Sequence, residues 1–130
     1  MKYFVDTSAW VAHIDKADIF HRRAKHFLNS SPLLVTSNII VHETLALLHT
    51  RINKQVALTA GSLISNAKLV EMIIVTGEQE TRAWREYKNQ GKTISYVDCT
   101  TKIIMEDYGL TNIFSFDSDF DALGFRRVPK

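Results

Sequence analysis

The sequence predicts an α/β protein built on a parallel sheet, and three observations carry that expectation. Lys2-Tyr3-Phe4-Val5 favours extended backbone and holds an apolar run without polar alternation, as in a strand covered on both faces. Short runs of similar character recur at Leu33 to Thr36, Val70 to Val75 and Asn112 to Phe116. The stretches between them carry apolar residues at the helical period, so strands alternate with helices and are joined by right-handed crossovers.

The first run ends in Asp6, at the edge of an open α/β sheet where chemistry is usually placed. Thr7 or Ser8 is expected to cap a helix containing Trp10, Val11 and Ile14. A second helix is expected from about Asp18, with Ile19, Ala24, Phe27 and Leu28 inward and Arg22, Arg23 and Lys25 on its wetter side. Pro32 breaks the chain before the second strand, and Ser37 or Asn38 caps the helix after it, which carries Ile39, Ile40, Val41, Leu45, Leu47 and Leu48. A polar break at Arg51 to Lys54 precedes another helix over about Gln55 to Asn66.

Thr76-Gly77 closes the third strand. Glu78 to Gln90 reads as an amphipathic helix with Ala83, Trp84 and Tyr87 on its buried side, ended by Gly91. The next helix, Ser95 to Tyr108, is capped by Ser95, stopped at Gly109, and carries Val97, Thr101, Ile104 and Met105 in period. Phe125 to Val128 is expected as a short fifth strand at the sheet edge.

The 130 residues suit one domain, 1–130, with a sizeable core; 45% hydrophobic and 23% charged residues belong to a soluble globular chain. No apolar run is long enough to cross a membrane, and the first stops too soon for a secretory signal, so a cytoplasmic protein is expected. The single cysteine, Cys99, excludes an internal disulfide and a cysteine-built zinc site; it reads as a small buried residue. A net charge of +2 permits nucleic acid as a partner without requiring it.

Most acids fall on polar helix faces. Asp6, Glu43, Asp98 and Asp117 do not: Asp6 and Asp117 end strands, Glu43 interrupts an apolar helix, and Asp98 lies in the first turn of the Ser95 helix. Each has a plain structural explanation. Asp98 suits a helix dipole, Glu43 a wet stripe beside His42, and Asp117 a turn with Ser118, Asp119 and Asp121. Together they point to a cation, because strand ends and the starts of following helices share one sheet edge, where four carboxylates would repel.

Oxygen-only ligands suit Mg²⁺ or Mn²⁺, whereas the five scattered histidines form no zinc-like motif with a nearby acid. Acids holding Mg²⁺ imply phosphoryl chemistry. There is no Gly-rich phosphate loop and no Gly-x-Gly-x-x-Gly turn, so neither an NTPase nor a nucleotide cofactor is expected. A phosphodiester lying in a groove is the substrate that remains.

In four stretches the chain resembles the PIN-domain ribonucleases, and among them the VapC-type toxins of prokaryotic toxin-antitoxin pairs. These are Tyr3-Phe4-Val5-Asp6-Thr7-Ser8-Ala9-Trp10, Val41-His42-Glu43-Thr44, Ser95-Tyr96-Val97-Asp98-Cys99-Thr100 and Ser115-Phe116-Asp117-Ser118-Asp119-Phe120. The resemblance implies a three-layer α/β/α sandwich around a parallel sheet of four to five strands, and endonucleolytic cleavage of RNA with Mg²⁺ or Mn²⁺. It makes Asp6 and Asp98 the principal metal ligands, Glu43 and Asp117 the other acids of a quartet, and Asp119 a fifth acid acting through water. Thr7 and Ser8 match hydroxyls that orient the first Asp, and Ser115 stands where the family more often has Thr. Which of Asp117, Asp119 and Asp121 faces the metal stays open.

The resemblance also implies a homodimer and a protein antitoxin whose C-terminal segment enters the cleft. Arg22, Arg23, Lys25, Arg51 and Lys54 are candidate contacts for RNA phosphates, with Arg126, Arg127 and Lys130 a second basic group; ordinary solvated faces are the competing reading. Trp10 and Trp84 are candidates to stack bases, although tryptophan on an amphipathic helix is more often core. The alternatives to a toxin are a PIN-fold RNA-processing nuclease without an antitoxin, a metal-dependent phosphatase, and a non-catalytic RNA-binding module.

Overall fold

The computed structural model describes residues 1–130 and contains the expected parallel sheet with helices on both faces. Its elements are β1 (Lys2–Val5), α1 (Thr7–Ile14), α2 (His21–Leu28), β2 (Leu33–Ser37), α3 (Asn38–Arg51) and α4 (Lys54–Ile64). There follow β3 (Val70–Ile73), α5 (Gly77–Asn89), α6 (Tyr96–Asp107), β4 (Asn112–Phe114), α7 (Asp119–Ala122) and β5 (Arg126–Val128). All neighbouring strands are parallel, in the order β3-β2-β1-β4-β5, so β1 is central and β5 is the expected edge strand.

The chain winds outward from β1 to β3, then crosses back to place β4 on the other side of β1. Right-handed crossovers therefore lay α1 to α4 against one face and α5 with α6 against the other. The turning point leaves a crevice beyond the carboxyl ends of β1 and β4. Phe4 lies opposite Val35 on one side and Ile113 on the other. These side chains form the main core with Trp10, Ile40, Ile104 and Phe114. Cys99 is buried with Ala83, Ile94 and Ile103 in a smaller cluster between α5 and α6. No helix is long and apolar enough to cross a membrane.

Several boundaries differ from expectation for local reasons. β3 stops two residues early, and the Val75 N–H is taken by Asn38 Oδ1 at 2.9 Å. β4 stops at Phe114 because Ser8 Oγ accepts the Phe116 N–H and Ser115 Oγ accepts that of Asp117. The second helix begins at His21: Asp15 and Asp18 capture the backbone N–H groups of Ala17 and Phe20 in tight turns, which leaves Ile19 in solvent. On α5 the structure overturns the expected orientation. Ala83 is buried, but Trp84 and Tyr87 are exposed, and Gln79 takes the inward position.

Candidate metal centre at the sheet switch point

Local chemistry first sets where each acid stands. Asp6 follows the last residue of β1 and occupies the N-cap position of α1, so neither Thr7 nor Ser8 is the cap; both lie in the first helical turn. The Ser8 hydroxyl instead donates to Asp6 Oδ2 at 2.9 Å, and Ser115, just beyond β4, donates to the same oxygen at 2.9 Å. Each hydroxyl has one proton, so both are spent on Asp6, and their lone pairs receive the Phe116 and Asp117 N–H groups. This small network ties the ends of β1 and β4 together.

Asp98 is held by a capping box at the start of α6. Ser95 Oγ accepts the Asp98 N–H at 3.1 Å, while Asp98 Oδ2 accepts the Ser95 N–H at 3.0 Å. Met105 and Glu106 close the far end of α6 by accepting the N–H groups of Leu110 and Gly109, a left-handed stop at Gly109 with φ of +66°. The helix is thus fixed at both ends with Asp98 turned into the crevice. Glu43 enters from α3, whose start is capped by Ser37 accepting the Ile40 N–H.

A cleft of about 610 Å³ at the switch point is lined by Asp6, Glu43, Asp98 and Asp117, together with Thr7, Ser8, Thr93 and Ser95. The carboxylate oxygens of Asp98, Asp117 and Asp119 lie within 4.8 Å of one another. Asp6 and Glu43 stand outside that tight group but share the cleft wall. Asp121 turns away, its two oxygens paired with the Arg127 guanidinium at 3.2 and 3.0 Å. Asp119 is steadied by the Thr93 hydroxyl at 3.0 Å, and its N–H donates to Asp117 Oδ1.

The electrostatics follow from burial and like charge. Desolvation pushes the Asp6 carboxyl up to about 6, more than the Ser8 and Ser115 hydroxyls can offset, and Asp98 adds to the rise. Burial raises Asp98 as well, and the Asp117 and Glu43 carboxylates raise it further. The one cation lining the cleft, Arg51, is 4.0 Å from Asp18 Oδ2. No histidine or cysteine lines the cleft. Thr7 Oγ1 is buried beside Asp6 with no hydrogen-bond partner. Hard oxygen donors, mutual repulsion and an orphaned hydroxyl are what an oxygen-ligated divalent cation would satisfy, so the residues present fit such an ion.

The candidate RNA contacts are not gathered in one place. Arg51 reaches the cleft, whereas Lys54 lies in a groove between α3 and α4. Arg22, Arg23 and Lys25 are exposed on α2. Arg23 bonds the Pro129 carbonyl and lies over the rings of Phe20 and Phe116, which also line the cleft, so it meets the C-terminal basic group at the rim. Trp10 is core, its indole N–H on Thr36 Oγ1. Sequence reasoning missed Thr93, a loop residue with no local pattern, and Asp18, whose place beside Arg51 depends on how the loop after α1 folds.

The PIN domain family profile matches residues 3–126. The chain is 35% identical over 127 residues to a protein of Mycobacterium tuberculosis named 23S rRNA-specific endonuclease VapC20, covering 96% of each chain. The crystal structure of Mycobacterium tuberculosis VapC20, described as a sarcin-ricin loop cleaving toxin, superposes with a TM-score of 0.89 at 34% identity, covering 95% of both chains. VapBC2 from Rickettsia felis, solved with a promoter DNA fragment, shares the fold at a TM-score of 0.69 and 14% identity, covering 98% of this chain and 97% of that one.

Proposed function

The chain belongs to the PIN-domain family, and from that premise we propose that it is an endoribonuclease that hydrolyses RNA phosphodiester bonds with Mg²⁺ or Mn²⁺. The observation that carries this reading is the meeting of Asp98, Asp117 and Asp119 in a cleft also walled by Asp6 and Glu43. Similarity to a named rRNA endonuclease over nearly the whole chain supports RNA as the substrate and makes 23S rRNA the first target to assay. The same similarity supports a toxin role in the cytoplasm. An antitoxin partner and a homodimer accompany that role in the family the sequence resembles.

Asp98, Asp117 and Asp119, with Asp6 on the cleft wall beside them, would hold the ion, which when bound polarises a phosphate oxygen and lowers the pKa of water. Ser8 and Ser115 keep the Asp6 carboxylate oriented through Oδ2. The capping box keeps Asp98 from rotating out of the crevice. Glu43, on a separate helix and half-buried, is placed either to join the ligands or to take the proton of the attacking water. Arg51 supplies the cleft's only positive side chain for a backbone phosphate.

Asp98→Asn tests the reading. RNA cleavage in Mg²⁺ should fall by about a hundred-fold or more, the order of loss when a single group that stabilises transition-state charge is removed, and Mn²⁺ binding by calorimetry should weaken in parallel. Wild-type cleavage by the variant would refute the assignment. Hydrolysis of a generic phosphomonoester with no action on RNA would favour a phosphatase instead.

A further inference from the structure

Outside the cleft, the surface feature that the proposed chemistry does not use is an aromatic cluster where α5 ends and α6 begins. Trp84 and Tyr87 are 48% and 42% exposed, although both belong in a core by size. Tyr96 joins them: its ring centroid is 5.6 Å from Trp84 and 5.7 Å from Tyr87, and its hydroxyl donates to the Glu80 carbonyl at 3.3 Å. Trp84 and Tyr87 thus present a joined apolar surface to water, braced from beneath by the half-buried Tyr96, and clustered exposed apolar residues are what mark interaction surfaces.

Two observations say what it binds. Lys88 places its ammonium 5.8 Å from the centre of the Trp84 ring, and neither it nor its neighbours Arg85 and Lys92 takes part in any of the chain's ion pairs. The surface therefore offers stacking area beside uncommitted positive charge, which is the combination single-stranded nucleic acid uses. It also lies next to the cleft along the chain: Tyr96 directly follows Ser95, which lines the cleft and donates its N–H to Asp98.

We propose that Trp84, Tyr87 and Tyr96 form a stacking platform for unpaired bases of the RNA strand beside the cleavage point, with Lys88 meeting the adjoining phosphate. This rests on the nuclease reading and adds to it the site where the flanking nucleotides are held. The three rings act as substrate-positioning residues.

Fluorescence provides the test, because Trp10 is 1% exposed and Trp84 is the only other tryptophan. In an Asp98→Asn background with Mg²⁺, a short unstructured ribo-oligonucleotide should quench Trp84 emission, and the same backbone without bases should not. Trp84→Ala should weaken binding about five- to a hundred-fold, the span that base stacking supports, while Trp84→Phe keeps most of it. With Asp98 intact, Trp84→Ala should raise KM and leave kcat nearly unchanged.

Equal affinity with and without Trp84, or equal quenching by the base-free backbone, overturns the proposal. So does sedimentation showing that Trp84→Ala splits a dimer without touching RNA affinity, which would make the surface a protein interface. A wild-type protein that neither binds nor cuts RNA defeats the nuclease reading as well. An active nuclease indifferent to Trp84 defeats the platform alone.

Discussion

Asp6 shows how one residue can be unfavourable for the fold and still stand in the wall of the proposed site. Its carboxyl stands near 6 when folded, against an ordinary 3.8, because burial disfavours the charge. Between those values the folded chain holds a proton that the unfolded chain has released. Stability is therefore fully present below about pH 4 and declines as the pH rises through 6. By neutral pH the ionised group costs the metal-free fold on the order of 3 kcal/mol. Asp6→Asn should accordingly raise metal-free stability in urea by about 1–3 kcal/mol at pH 7, with the gain shrinking towards pH 4, while RNA cleavage is lost. A variant less stable at both pH values would contradict this account. Ser115→Ala removes one hydroxyl from Asp6 Oδ2 and should push its carboxyl higher still. Calorimetry should then find Mn²⁺ binding weakened more at pH 6 than at pH 8.

Among the elements, α6 is the one most plainly written in the sequence. Ser95 caps it, Gly109 ends it, and Asp98 serves both as the reciprocal partner of the cap and as a wall of the cleft. One side chain thus both closes the capping box and faces the cleft. Ser95→Ala should cost about 1 kcal/mol in thermal or denaturant unfolding. It should also loosen Asp98, so cleavage should fall by more than that stability loss accounts for. The neighbouring α5 shows the limit of periodicity. Ala83, Trp84 and Tyr87 look like one inward stripe, but spacing states which residues share a face and not which face meets the core. α6 packs against the side carrying Ala83 and Gln79, and the aromatics are left outside.

At the scale of the whole molecule, the strand order creates the site. Because β4 returns to the other side of β1, Asp6 and the acids after β4 border one crevice, and α3 and α6 bring Glu43 and Asp98 to it from opposite faces. A divalent ion binding only the folded form should stabilise it by mass action. Mg²⁺ or Mn²⁺ should raise Tm progressively with concentration, and chelation should reverse the rise. Asp98→Asn should shift the response to higher ion concentration in differential scanning fluorimetry. A Tm indifferent to either ion would remove the metal from the site.

The strands, the cap at Ser95, a cap at Ser37 or Asn38, the stop at Gly109 and the place of Asp6 at a strand end were all legible from the chain, because each depends on residues within a few positions of one another. That Asp6, Glu43, Asp98 and Asp117 border one sheet edge was legible as well; how closely they approach was not, since it joins residues as far apart as Asp6 and Asp117 through the register of β1 against β4. Nothing local separates Asp119, which joins Asp98 and Asp117, from Asp121, two residues on, which turns to Arg127. That choice is made by the short helix α7, which presents the two acids to different sides, and by the partners waiting on each side: Thr93 from the loop before α6 and Arg127 from β5.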